Sequence, residues 1–213
     1  MVLAELPRRD VTARARLAEV AGQVKPLVGA ADRLIAVPGP LGGALPGGGV
    51  RRGAVMTIDG APGSGATSLL LSLAAAVTSA GEWAAVVDTH GTLGGRAAAE
   101  AGVVLERFSV VRGAPAERWA TVVAALLDGF AFVAAEAPPR CKLGDARRLA
   151  ARARERSATF VALGRWPAEA AVRLHASTSH WSGLAAGSGL LGERALHVDV
   201  AGRGAPVRAR LAG

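Results

Sequence analysis

The 213-residue chain has no tyrosine, a single cysteine (Cys141) and only two lysines, Lys25 and Lys142. One cysteine excludes a disulfide framework and any cysteine-built metal centre. The four histidines, His90, His175, His180 and His197, show neither HExxH spacing nor a His/Cys cluster, so no metal site is expected. Long apolar runs are missing as well. Leu69–Val77 is broken by Ser72 and falls far short of the roughly 20 residues that cross a bilayer. The first residues alternate Arg with Ala and Leu without the apolar stretch of a signal peptide, so the expectation is a cytoplasmic protein with no membrane contact.

What is abundant is equally directive. Half the chain is hydrophobic, 28 residues are glycine, and the formal charge is +8, carried almost wholly by arginine. Arginine favours two-pronged contacts with phosphate or carboxylate, which suits nucleic acid or an acidic protein partner. A GC-rich genome that writes Arg and Ala freely accounts for the same excess about as well. The length suits one α/β domain with an extension.

Along the chain, Asp10 caps a predicted helix to Val24 with Leu17, Val20 and Val24 on one face. Residues 1–35 therefore read as an N-terminal helical arm suited to docking on a partner. Residues 36–53 are so rich in Gly and Pro that a linker without regular elements is expected. From residue 54 to 213 short apolar runs alternate with helical patterns. Strands are expected at 54–59, 84–88, 108–111, 130–136 and 158–163, and helices at 67–79, 95–102, 116–127 and 145–156, the last capped by Asp145. The runs 172–177, 195–200 and 207–211 read as antiparallel edge strands, with a glycine-rich loop around His180–Gly189. This pattern predicts an α/β fold: a mostly parallel twisted sheet flanked by helices, with antiparallel C-terminal edge strands. Right-handed crossovers then bring the loops after the first, second and fourth of these strands to one sheet edge.

One of those loops carries a motif. Gly60, Gly63, Gly65, Ala66, Thr67 and Ser68 lie in a stretch that follows the phosphate-loop pattern G-x-x-x-x-G-K-[ST] except that Ala66 stands in the lysine position. Glycines let backbone N–H groups curl round an anion at a helix N-terminus, while the lysine supplies charge to the terminal phosphates.

Gly47-Gly-Gly-Val-Arg-Arg-Gly, a strand, this loop, a helix, Val86-Val-Asp and Glu100-Ala-Gly-Val-Val-Leu-Glu-Arg follow in order, and Asp145–Arg156 and Ala171–Ser177 come later. In this order and spacing the chain resembles the ATPase core of RecA-type recombinases over about residues 28–211. More closely, through Leu126–Phe130 and Arg147–Arg156, it is similar to the actinobacterial ImuA′ proteins. The resemblance implies a RecA-like fold and an accessory role in SOS-inducible, error-prone translesion DNA synthesis. It implies binding to ImuB, an inactive relative of the Y-family polymerases, and indirect association with an error-prone polymerase and the sliding clamp. RecA, DNA and further copies of the chain are additional candidate partners.

Carried over residue by residue, the RecA working positions mostly fail. The loop lysine falls on Ala66 and the catalytic glutamate, two residues past Asp88, falls on His90. The metal-associated aspartate falls on Glu136, and Thr67 is kept. Phosphoryl transfer depends on positioned cations that neutralise developing charge. With both the lysine and the carboxylate at position 90 missing, no enzyme activity, catalytic residue or cofactor is expected; ATP and Mg²⁺ are what a working site would take. The segments that would correspond to DNA-gripping loops are 137–144, with Arg140 and Lys142, and a remnant at 164–167. Arg148, Arg152 and Arg156, with Arg147 beside them, make a helical stripe able to neutralise phosphates or meet a partner, though a solvated outer face is the commoner meaning of such a stripe. Trp166 and Trp181 are expected in the core. Alternatives to the adaptor are a weak DNA-binding or nucleotide-binding ATPase and, further off, a cell-division inhibitor.

Overall fold

The computed structural model describes residues 33–183, 192, 194–202 and 206–212, without the side chains of 178–180 and 212. The expected arm residues Leu17, Val20 and Val24 lie outside the described residues. So does most of the expected glycine-rich loop after Gly183.

The described chain runs β1 (Leu34–Ala36), α1 (Gly39–Ala44), β2 (Gly49–Arg51), β3 (Val55–Gly60), α2 (Ala66–Ser79), β4 (Ala84–Asp88), α3 (Gly95–Glu100), β5 (Phe108–Arg112), α4 (Trp119–Gly129), β6 (Phe132–Glu136), α5 (Leu143–Arg156), β7 (Thr159–Leu163), β8 (Val172–Trp181), β9 (Arg194–Gly202) and β10 (Val207–Ala212). An eight-stranded sheet has the order β10-β9-β8-β3-β7-β6-β4-β5. Every pair from β8 to β5 is parallel, and β9 runs antiparallel to both β8 and β10. The α/β class, the mostly parallel sheet and the antiparallel C-terminal edge are as the sequence pattern predicts. One strand differs: β8, expected as an antiparallel edge strand, joins β3 in parallel and turns antiparallel only towards β9. It also runs on through His180 and Trp181, which were expected in a loop.

The central strands read as continuous apolar runs because both faces are covered. Ala84, Ala85, Ala134, Ala135 and Ala162 are fully buried despite alanine's weak strand preference. Their small side chains leave room for bulk supplied by the helices. On one face Met56, Ile58, Phe132 and Val161 pack with Leu69, Leu73 and Val77 of α2. On the other, Val133 and Phe160 pack with Trp119, Val123 and Leu127 of α4 and Leu149 of α5.

The glycine- and proline-rich stretch 36–53 is not an irregular linker. It contains α1, pairs β1 with β2 in antiparallel register, and buries Val37, Leu41, Leu45 and Val50 in the same cluster as α2. That cover explains why Leu70 and Leu71, on different sides of α2, are both buried. At the other end of the fold Asp145 does not cap α5. The helix starts two residues earlier, and Asp145 sits in its first turn, 2.6 Å from Arg148.

Candidate functional site

The C-terminal ends of β3, β4, β6 and β7 meet at one sheet edge, where open α/β sheets place their ligands. After β3 the chain turns sharply through residues 61–65 into α2. Gly60 has no room for a side chain: a Cβ there would lie 2.3 Å from Ser64 Oγ and 2.7 Å from the Ala176 carbonyl oxygen. The Ser64 amide donates to the Ala61 carbonyl at 2.9 Å and the Leu69 amide to that of Gly65 at 3.0 Å, which closes the turn and starts the helix. No side chain among the described residues caps α2, and its first turn, Ala66-Thr67-Ser68, is uncharged. The loop therefore keeps its glycine geometry and its helix N-terminus while position 66 carries no cation.

A cleft of about 620 Å³ opens beside this loop. Ala66 and Thr67 line it from α2, Glu136 from β6, Arg165 and Trp166 from the segment after β7, and Arg173 from β8. Two arginines thus face the cleft. Neither lies at a spacing from the loop that a sequence motif records.

The other expected positions divide. Glu136 and His90 come together: His90 Nδ1 lies 2.7 Å from Glu136 Oε2, and Thr89 Oγ1 donates to the same oxygen at 3.2 Å. The His90 side chain is about two-thirds exposed and that of Glu136 about half. Asp88 faces elsewhere. Its carboxylate is 6 % exposed and accepts the amides of Thr92 and Leu93 at 3.1 and 3.0 Å, with Arg112 Nε at 3.4 Å. It folds the 91–93 turn onto the sheet rather than entering the cleft.

Burial alone would raise the Asp88 pKa, but the Leu93 and Thr92 amides and the Arg112 guanidinium together hold it below the ordinary 3.8. A depressed folded pKa stabilises the fold above the unfolded value, and that contribution is lost as pH falls through the folded value. Asp88→Asn should therefore cost about 1–2 kcal/mol at neutral pH. Urea titrations of the two proteins should converge as pH drops below the carboxylate range; a gap independent of pH would show that shape, not charge, is what matters there.

The arginine stripe is largely occupied. Arg152 Nε and Arg156 Nε each reach Asp128 Oδ1, at the end of α4, at 2.9 Å, and Arg148 pairs with Asp145. The hydrogen bond from Arg152 is foremost in holding the Asp128 carboxyl below its usual range. Arg147 shares the helix with them. These ion pairs join α5 to α4, while Arg147 and Arg154 stay exposed on the same helix. Trp166 does pack against the core, its ring 5.3 Å from Phe160 at 62°. Trp181 does not; it is 43 % exposed and lies beneath the Arg194 guanidinium.

The MT3502 N-terminal domain profile matches residues 43–168, more than half of the chain. The chain belongs to the MT3502 N-terminal domain family. The matched span runs from the end of α1 through β7 and takes in the loop at 60–68, Asp88, His90, Glu136 and the α5 arginines. Strands β8 to β10, with Arg173 and Arg194, lie beyond the part matched to the MT3502 N-terminal domain. No curated protein matches the chain. Among the described residues no helix is long and apolar enough to cross a membrane.

Proposed function

We propose that this chain is a non-catalytic, RecA-like adaptor of SOS-inducible, error-prone translesion DNA synthesis that binds an ImuB-type relative of the Y-family polymerases. The observation that carries the reading is the loop at Gly60–Ser68, which keeps its glycine turn and its helix but has Ala66 where a phosphate loop needs its cation. The nearby carboxylate of Glu136 is bonded to His90 and Thr89. A parallel sheet with this loop at its C-terminal edge and antiparallel strands following is the arrangement the RecA resemblance expects. On this reading the protein is cytoplasmic, takes no cofactor, and reaches the error-prone polymerase and sliding clamp through its partner.

A binding role is also supported at the far edge of the sheet. Among the described residues strand β5 has a neighbour on one side only, and Leu105 and Val110 are 45 % and 38 % exposed beside a hollow of about 290 Å³. An unpaired apolar edge is a template for another chain. The deciding experiment is co-purification of the full chain with an ImuB-type partner, with ATP turnover measured on the same sample. Retention of the partner with no turnover is the expected result. Nucleotide hydrolysis by the chain alone, or no retention of the partner, would reject the reading.

A second reading, nucleotide binding without hydrolysis, is favoured by Arg165 and Arg173 lining the cleft opposite Thr67. Calorimetric titration with ATP and Mg²⁺ separates the two. Heat that disappears in Thr67→Ala supports binding, and a flat titration removes it.

A further inference from the structure

Arg194 opens β9, paired across the hairpin with Trp181 at the end of β8. Its guanidinium leaves the sheet and reaches the phosphate loop. Nη1 donates to Ser68 Oγ at 3.0 Å and Nη2 to the Gly63 carbonyl oxygen at 3.2 Å, while the guanidinium carbon stands 5.6 Å from the centroid of the Trp181 ring. The contact is tight. A Cβ on Gly65 would lie 2.8 Å from Leu196 Cδ1 and 2.9 Å from Arg194 Nη2. Gly65 has φ +107°, a backbone conformation that calls for glycine, and a side chain there would press on the ends of Leu196 and Arg194.

A guanidinium holds two acceptors at a fixed separation, which a single ammonium cannot do. Here one acceptor precedes Gly65 and the other is in the first turn of α2, so one side chain spans the loop from its crest to its helix. Cations are disfavoured at a helix N-terminus. A lysine at 66 would place a second cation in the same turn, and alanine removes that conflict. Ala66 and Arg194 therefore complement each other.

We propose that Arg194 is an internal clamp that holds the phosphate loop in its folded form without nucleotide. It joins the β8–β9 hairpin to the N-terminus of α2 and supplies from within the protein the ordering that a bound phosphate would otherwise give. The clamp deepens the non-catalytic reading and rests on it. The test reads the chain alone, so a failed co-purification and an altered exchange pattern are separate outcomes.

The experiment is amide hydrogen exchange on the full chain, read at Ser64 and Leu69, whose amides close the loop. The expected result is protection at both amides without nucleotide, no added protection with ATP and Mg²⁺, and a loss of at least about tenfold in Arg194→Ala, which removes two charge-assisted hydrogen bonds. Ser68→Ala removes one acceptor without touching β9 and should loosen the same amides to a smaller extent. It decides the matter if Arg194→Ala does not fold. Unprotected amides in the unaltered chain, protection gained on adding ATP and Mg²⁺, or unchanged exchange in the folded variants would each overturn the clamp.

Discussion

Phe160→Ala is expected to lower stability by about 4 kcal/mol, within the range for removing a large ring from a rigid core. Phe160, the second residue of β7, is fully buried and paired in register with Val55 on one side and Val133 on the other. Its ring meets Trp119 of α4 edge-on at 6.3 Å and Trp166 at 5.3 Å. The surrounding strand residues are mostly alanine and valine, which are too small to fill the space left behind. A domain of this size loses roughly 2–4 °C of melting temperature per kcal/mol, so a fall of about 8–16 °C is expected. Phe160→Leu, which keeps most of the volume, should lose well under half of that. The change also reaches the cleft, because Trp166 lines it and is anchored by Phe160. Thermal denaturation followed by tryptophan fluorescence measures both effects. A drop of only one or two degrees would show that the sheet and α4 close over the cavity.

How much of this was legible beforehand depends on the range over which the information acts. The strand–loop–helix unit at 55–79 was readable because its signals are local: an apolar run, glycines at fixed offsets, then a leucine-rich helix. The central strands were readable for the same reason. The direction of β8 was not, since alternation along a strand marks one buried face and says nothing of which neighbour it joins. The arginine stripe on α5 was visible as spacing, but Asp128, which binds two of its members, belongs to another helix. Arg194 lies 126 residues from Ser68, and no pattern within either segment relates them. Trp166 and Trp181 have the same composition signal, and only the packing of Trp166 on Phe160 and the place of Trp181 at the end of β8 opposite Arg194 separate them. Of the site itself, the missing lysine was accessible from the motif and the convergence of the loops carrying His90 and Glu136 from the strand order, but the contact between those two side chains was not. The inward turn of Asp88 and the arginines of the cleft were not.

Residues 36–53 show the same gap in its sharpest form, and two neighbouring glycines test it. Glycine in a sequence can mean a loose chain or a close approach of two backbones, and composition does not distinguish them. At Gly42, in α1, a Cβ would lie 1.7 Å from the Val37 carbonyl oxygen and 2.8 Å from its carbon. Both are backbone atoms, and Val37 is itself held by a hydrogen bond from its amide to the Gly48 carbonyl at 3.0 Å. Nothing flexible can give way. Gly42→Ala should therefore cost about 3 kcal/mol, at the upper end for overpacking, by driving α1 away from the β1–β2 pair that covers α2. At Gly43, one residue on, a Cβ meets nothing within 4 Å and the position is exposed on the same helix. Gly43→Ala should raise stability by about 0.5–1 kcal/mol, because alanine loses less backbone entropy on entering a helix. Urea denaturation of the two variants should move the midpoint in opposite directions. If residues 36–53 were an unstructured tether, both substitutions would be neutral, since an alanine in an unpacked chain neither clashes nor orders anything.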